Sequence, residues 1–324
     1  MKVHTTKSVY PVYSFLFWKA YFVHMRPYLL FVSGIAGATG LAIADPVHDP
    51  SWRLWMMFVP FFLGYGFGQA LTDCFQTDTD KISSPYRPLS QGIVSINSIL
   101  YTSIAGLLLS AFLLFWLHWY SFLLSLAAVF GLATYSYVKK NYWFGGPLHN
   151  AWIIALLPVM GFFAASESNV TVFPDQYYSI VAITFFSYAN FVLIGYLKDI
   201  DADAATGYRT FPVVFGWDRT VQLGDLIALV TLFFFWNLDH KNSMELMIGL
   251  AASIVVLAGQ IYAHLSKNKN ETEATIPIVS TVRGFVLLHS SLILRFQPEW
   301  LMGVVAFYLL FEMFLFARPA RNQI

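Results

Sequence analysis

Ten long, mostly apolar stretches dominate this chain, each close to the ~20 residues a helix needs to cross a bilayer core. They run Tyr28–Ala44, Leu54–Leu71, Ile93–Trp116, Tyr120–Tyr137, Leu148–Ala165, Tyr177–Leu197, Val221–Leu238, Leu246–His264, Ile278–Leu294 and Trp300–Ala317. The ninth is the weakest, because it carries Arg283 and His289. With 57% of residues apolar and 11% charged, a water-soluble globule could not hide the excess, and lipid is its natural solvent. The expected fold class is therefore an all-α polytopic membrane protein of about 9–10 spans. Residues 1–324 form one membrane-embedded domain, with no soluble domain left over. A net charge of +1 gives no electrostatic case for a nucleic-acid partner. Cys74 is the only cysteine, so no internal disulfide can form. Lys2, Lys7 and Lys19 precede no short apolar core with a small-residue cleavage site, so no cleaved signal peptide is read.

Loop charge orients the spans. Ten crossings place both termini and every second loop on one side. Of the 19 Lys and Arg, Arg283 falls inside a span, and only Arg53, Lys241 and Arg295 fall on the opposite side. The positive-inside bias puts the termini, including Lys2, Lys7, Arg318 and Arg321, in the cytosol. Trp52, Trp55, Trp116, Trp119, Trp236 and Trp300 fall near span ends, as interfacial aromatics do.

Two short loops on the cytosolic side concentrate the acid. The first reads Thr72-Asp73-Cys74-Phe75-Gln76-Thr77-Asp78-Thr79-Asp80 and continues to Pro85-Tyr86-Arg87-Pro88. The second reads Lys198-Asp199-Ile200-Asp201-Ala202-Asp203 and continues to Gly207-Tyr208-Arg209-Thr210. Asp199 and Asp203 share a helical face if the helix runs through them, as do Asp73, Gln76 and Asp80. Carboxylate pairs at the mouth of a bundle repel one another unless a cation lies between them. Mg²⁺ suits such a place, since it takes one or two carboxylates together with substrate phosphates. A diphosphate so bridged becomes a better leaving group. The plainer reading is a solvated acidic loop beside lipid headgroups. Two such loops, four spans apart and each followed by an arginine, weigh against it.

On these residues the chain resembles the UbiA superfamily of intramembrane prenyltransferases. Tyr196-Leu197-Lys198-Asp199-Ile200-Asp201-Ala202-Asp203, followed by Gly207 through Gly216, is similar to the family's second signature. Arg26-Pro27-Tyr28 resembles its opening Arg-Pro, and Tyr135-Ser136 with Lys139, Lys140 and Asn150 its segment between spans four and five. The first signature departs. Aligned on Pro85-Tyr86-Arg87-Pro88, Thr72, Gln76 and Asp80 stand where the family has Asn, Asp and Asp. Asp73 matches an acid that often follows the Asn. Asp78 is additional, and it reaches the others only if the loop is kinked or unwound.

The resemblance implies a helical bundle that transfers an isoprenyl group from an isoprenyl diphosphate to an acceptor, with Mg²⁺ as cofactor. Asp73, Asp80, Asp199 and Asp203 are then the catalytic acids. The metal set is Asp73, Gln76, Asp78, Asp80, Asp199 and Asp203. Arg26, Lys139, Lys140, Lys198 and Arg209 meet the diphosphate. The acceptor is left open among aromatic, tetrapyrrole and lipid. A terpene cyclase of the same superfamily, needing no acceptor, is the alternative. A transporter fits less well, because the acids lie at one rim rather than at the midplane. Among the remaining polar residues, Arg283 and Glu312 are expected to pair between the last two spans. Asp225 is expected near a helix start, and His149, near the basic loop, is either a proton acceptor or something plainer.

Overall fold

The computed structural model describes residues 9–44, 51–166 and 173–318, and Lys2, Lys7 and Arg321 lie outside them. The helices are α1 (Phe15–His24), α2 (Leu30–Ile43), α3 (Ser51–Asp73), α4 (Thr77–Ser83), α5 (Ile96–Leu117), α6 (Trp119–Asn141), α7 (Gly145–Ala165), α8 (Tyr177–Gly195), α9 (Ile200–Ala205), α10 (Phe211–Trp236), α11 (Ser243–Leu265), α12 (Thr275–Phe296) and α13 (Leu301–Phe316). No strand occurs among the described residues. Nine helices there are long and apolar enough to cross a membrane, and a tenth crossing results if the pair Phe15–His24 and Pro27–Ile43, bent by 54°, counts as one. The protein is thus a multi-pass integral membrane bundle.

Local chemistry sets several helix starts. Ser95 Oγ accepts from Ser98 N at 3.0 Å, and Asn242 Oδ1 from Glu245 N at 2.8 Å, each satisfying an orphan first-turn donor. Gly216, with φ at +76°, takes a conformation open to glycine and breaks α10 near its start. Asp225 lies beyond that break and well inside the helix. It pairs with His264 at 2.6 Å rather than capping a helix start.

Packing divides the bundle into two groups. In the first, α2, α3, α5, α6 and α7 each touch the next, and α7 closes back on α2. In the second, α8 packs on α10, α10 on α11, α11 on α12, and α12 returns to α8 and α2. The α2–α7 contact is backbone-close. A Cβ on Gly40 would strike the Pro158 carbonyl, and one on Gly161 would strike that of Gly37. Small residues permit such an approach where lipid provides no hydrophobic drive between helices.

The ninth stretch, the weakest because it carries Arg283 and His289, is α12. It is the most enclosed span among those described, with 78% of its most apolar window buried. Its ionisable residues find partners within the protein. Arg283 pairs with Glu312 at 2.7 Å, and His289 bonds Thr184 at 3.0 Å.

Candidate active site

The two acidic loops end helices at the same mouth of the bundle. α3 stops at Asp73, residues 74–76 break the helix, and α4 resumes the chain. α8 runs through a short 3₁₀ turn, Tyr196–Lys198, into α9, with Asp203 N donating to Asp199 O at 2.8 Å. Below them lies a cavity with about 1380 Å³ of atom-free space, its open mouth included. Arg26, Asp73, Gln76, Asp80, Lys139, Lys198 and Asp199 line it together. Its deeper wall is apolar and aromatic, contributed by α2, α3, α5, α6, α7 and α8.

Each carboxylate in the two loops that was assigned to metal has a cationic partner. Arg26 Nη2 donates to both oxygens of Asp73 at 2.8 Å, and Gln69 Nε2 adds a bond at 2.8 Å. Arg87 Nη1 is 2.6 Å from Asp80 and 3.5 Å from Asp73, so one guanidinium ties the helix end to α4. Lys198 meets Asp199 at 2.9 Å. Lys139 stands 3.3 Å from Asp203 Oδ1 and donates to Gln76 Oε1 at 3.3 Å, linking the two loops through α6. Gln76 also donates to Ser136 Oγ at 3.0 Å. At the outer rim, half-exposed Lys140 pairs with Asp78 at 3.3 Å. Arg26 holds its position in the left-handed region, at φ 55°, a strained place for a non-glycine residue ahead of a proline.

Burial and these partners set the carboxyl groups apart. Burial pushes Asp80 above the ordinary carboxylate range, with Asp73 adding to the rise and Arg87 opposing it. Asp203 is likewise raised by burial against the pull of Lys139. Burial acts on Asp199 too, but Lys198 and Lys139 outweigh it and hold that carboxyl low.

Not every expected residue enters the cavity wall. Asp203 is fully buried behind Lys139, while Asp78, Lys140 and Arg209 lie outside the lining. Asp78 does fall past the helix break, as its helical projection requires, yet it turns to the rim. Arg209 is exposed, and its backbone N–H donates to Lys140 O. His149 bonds Thr134 at 3.2 Å and the Gly131 carbonyl at 3.0 Å, an α6–α7 tie. Sequence reasoning gave Arg87 and Gln69 no role. The arginine after each acidic loop was the available signal: Arg87 lines the cavity and Arg209 does not. The tyrosines under the mouth carry no role in the sequence motifs. Tyr135 and Tyr196 share a hydroxyl contact at 2.9 Å, and Tyr188 donates to Tyr65 at 3.0 Å.

A group of three or more acid, His or Cys side chains arranged to hold a metal does not occur among the described residues. The donor chemistry nevertheless fits a hard cation. Asp80 and Asp199 offer carboxylate oxygens at the mouth, and Asp203 Oδ1, though near Lys139, accepts no hydrogen bond.

A profile of the UbiA prenyltransferase family matches residues 30–286. The digeranylgeranylglyceryl phosphate synthase of Thermococcus kodakarensis is 28% identical over 218 residues, 66% of this chain and 75% of that one. The enzyme of the same name from Sulfurisphaera tokodaii is 27% identical over 217 residues, 66% and 76% of the two chains. Among solved structures, a UbiA homolog from Aeropyrum pernix K1 superposes with a TM-score of 0.67 at 18% identity, covering 82% of this chain and 96% of that one. A UbiA homolog from Archaeoglobus fulgidus, bound to DMAPP and Mg²⁺, gives 0.58 at 20% identity, covering 83% and 98%. A family profile spanning more than three quarters of the chain, over a matching bundle, makes this protein a member of the UbiA prenyltransferase family.

Proposed function

We propose that this enzyme is a Mg²⁺-dependent intramembrane prenyltransferase that moves an isoprenyl group from its diphosphate to a lipid hydroxyl. The reading is carried by Lys139, a buried cation that touches both acidic loops at the neck of an apolar cavity. The five cations Arg26, Arg87, Lys139, Lys140 and Lys198 balance five carboxylates, Asp73, Asp78, Asp80, Asp199 and Asp203. Such a site has nothing to gain from a diphosphate alone. With a divalent ion on the carboxylates, the same cations become free to face phosphate oxygens. Asp80 and Asp199 would hold the ion from opposite loops, with Asp203 behind them. When bound, Mg²⁺ supplies neutralisation of the charge that builds on the departing diphosphate. Asp73 stays engaged by Arg26 and serves chiefly to fix it.

In the reaction the allylic C–O bond breaks and its electron pair leaves with the diphosphate. A new C–O bond forms to the acceptor hydroxyl, whose proton passes to the departing diphosphate. Lys139 and Lys198 orient the leaving group. Tyr65, Tyr135, Tyr188 and Tyr196 of the wall offer ring faces that would attract positive charge developing on the allylic carbon. The acceptor assignment takes its support from the relatives, named as digeranylgeranylglyceryl phosphate synthases. Cytosolic placement of the loops follows from the charge bias.

The test uses purified protein in nanodiscs with Mg²⁺, geranylgeranyl diphosphate and geranylgeranylglyceryl phosphate, with Asp199→Asn as control. Formation of the diether product, abolished by the substitution, is expected. A cyclic hydrocarbon made without acceptor would assign the chain to terpene cyclisation instead. Diphosphate release that persists in Asp199→Asn would place the metal site elsewhere.

A further inference from the structure

We propose that Glu271, in the loop between α11 and α12, is a positioning residue for the second acidic loop: it fixes the turn that carries Asp199 and Asp203 and so strengthens the hold of the site on its divalent ion. The inference rests on the metal reading above and adds a residue from outside both acidic loops.

Residues 266–274 join α11 to α12 at the end of the bundle where the acidic loops lie. The loop is braced from within. Asn268 donates to the Glu273 carboxylate from N at 3.3 Å and from Nδ2 at 2.8 Å, and Glu273 N donates to Asn270 Oδ1 at 3.0 Å. It is also fastened to α10. Lys269, held at φ 46°, places its ammonium 2.7 Å from Asp218 Oδ1. Beside that pair, Trp217 Nε1 donates to the Ala263 carbonyl at 3.0 Å, and at the far end of the loop Ala274 is fully buried. Residues 267–270 and Thr272 are exposed, whereas Glu271 between them is partly buried. Its side chain turns away from water to the second acidic loop, where Oε1 accepts from Asp201 N at 3.3 Å.

That N–H lies between the two carboxylates in the chain. It belongs to the first turn of α9, whose donors have no partner within the helix. Asp203 N closes the same turn on the Asp199 carbonyl at 2.8 Å. Asp199 itself is off the helical conformation, at φ −118° and ψ 12°, so regular helix geometry does not set its carboxylate against that of Asp203. A bond from a braced loop on the second helix group does. Glu271 also shares the field of the site. Burial raises its carboxyl above the ordinary range, and Asp199 and Asp201 add to the rise. A divalent ion at Asp199 relieves that repulsion, so the ion and Glu271 favour one another.

The test uses full-length protein in nanodiscs. Mn²⁺ would be titrated with geranylgeranyl thiolodiphosphate, a non-hydrolysable donor, present, and bound Mn²⁺ read by electron paramagnetic resonance. Turnover would be followed over a matching range of Mg²⁺. Glu271→Ala is expected to weaken Mn²⁺ about tenfold, the lower end of what an outer partner of a metal ligand contributes. The half-activating Mg²⁺ concentration should rise by the same factor, with kcat restored at saturating Mg²⁺. Glu271→Gln keeps an oxygen for Asp201 N and should recover most of the affinity. Wild-type Mn²⁺ affinity in Glu271→Ala, or a fall in kcat that saturating Mg²⁺ does not restore, would overturn the proposal. Glu271→Gln as weak as Glu271→Ala would overturn positioning, since charge alone would then carry the effect. Wild-type protein that binds Mn²⁺ no more tightly than Asp199→Asn would remove the metal site itself, and the role of Glu271 with it.

Discussion

Arg87 holds two carboxylates at once, Asp80 at 2.6 Å and Asp73 at 3.5 Å, with its own side chain 5% exposed. Asp73 keeps Arg26 if Arg87 is lost, but Asp80 keeps no cation. Removing one member of a buried pair leaves an uncompensated charge, at a cost of about 3–5 kcal/mol. Arg87→Met should therefore lower the thermal stability of the purified protein. The sign of its pH dependence follows from Asp80, which burial already raises above the ordinary carboxylate range. A carboxyl whose folded pKa is raised destabilises the fold when ionised, and the penalty fades as pH falls through that raised value. The deficit of Arg87→Met against wild type should be larger at alkaline than at mildly acidic pH, read from paired melting curves. A deficit that does not change with pH would mean that Asp80 finds another partner. The acids of this site were legible as residue types at a loop spacing. Their pairing was not, because Arg26 comes from a bend before α2 and Lys139 from α6, both remote in sequence. Only the recurrence of Arg after each loop hinted at Arg87, and Arg209 shows how weak that hint was.

Most of the spanning helices were legible as elements, since a run of apolar residues long enough for lipid has few other uses. α1 was not. Its ten residues are too few to span, and its buried side, Phe17, Ala20, Tyr21 and His24, is set by tertiary packing. α12 reads as the weakest span because Arg283 and His289 count against lipid, yet this helix is largely wrapped by protein, where such residues find partners. α13 shows the reverse: it is strongly apolar, yet only 17% of its best window is buried. Two features fasten it. Phe307 sits edge-on to Phe31 at 4.8 Å between ring centroids, and Glu312 accepts from Arg283 at 2.7 Å and from Tyr308 at 2.9 Å. Charge in a membrane is tolerated when so paired. Glu312→Ala leaves Arg283 half-buried without its counter-charge, so α13 should loosen, seen as faster amide exchange over residues 301–316. Prenyl transfer should survive, because no residue of α13 lines the cavity. Unchanged exchange would show that the aromatic contacts alone hold the helix. Lost turnover would show that α13 supports the site from outside.

At the scale of the whole molecule, the site and its cavity belong to the first helix group with α8, while α10 to α13 form a wall beside them. Such an asymmetric bundle works only if its mouth faces the compartment that supplies the donor. On the orientation proposed from charge bias, that mouth is cytosolic. Lys267, just past the end of α11, then lies on the cytosolic side, and Asn237, just past α10, on the other. The 23 residues of α11 rise about 35 Å, enough to separate them by a full hydrocarbon core of about 30 Å. The only native cysteine, Cys74, is buried, so single introduced cysteines at these exposed positions can be read with little background. A membrane-impermeant maleimide added to intact expressing cells should modify Asn237→Cys and spare Lys267→Cys until the membrane is opened. The reverse pattern would invert the protein and place both acidic loops outside. Labelling of both in sealed cells would mean that α11 does not cross at all, and the count of spans would fall with it.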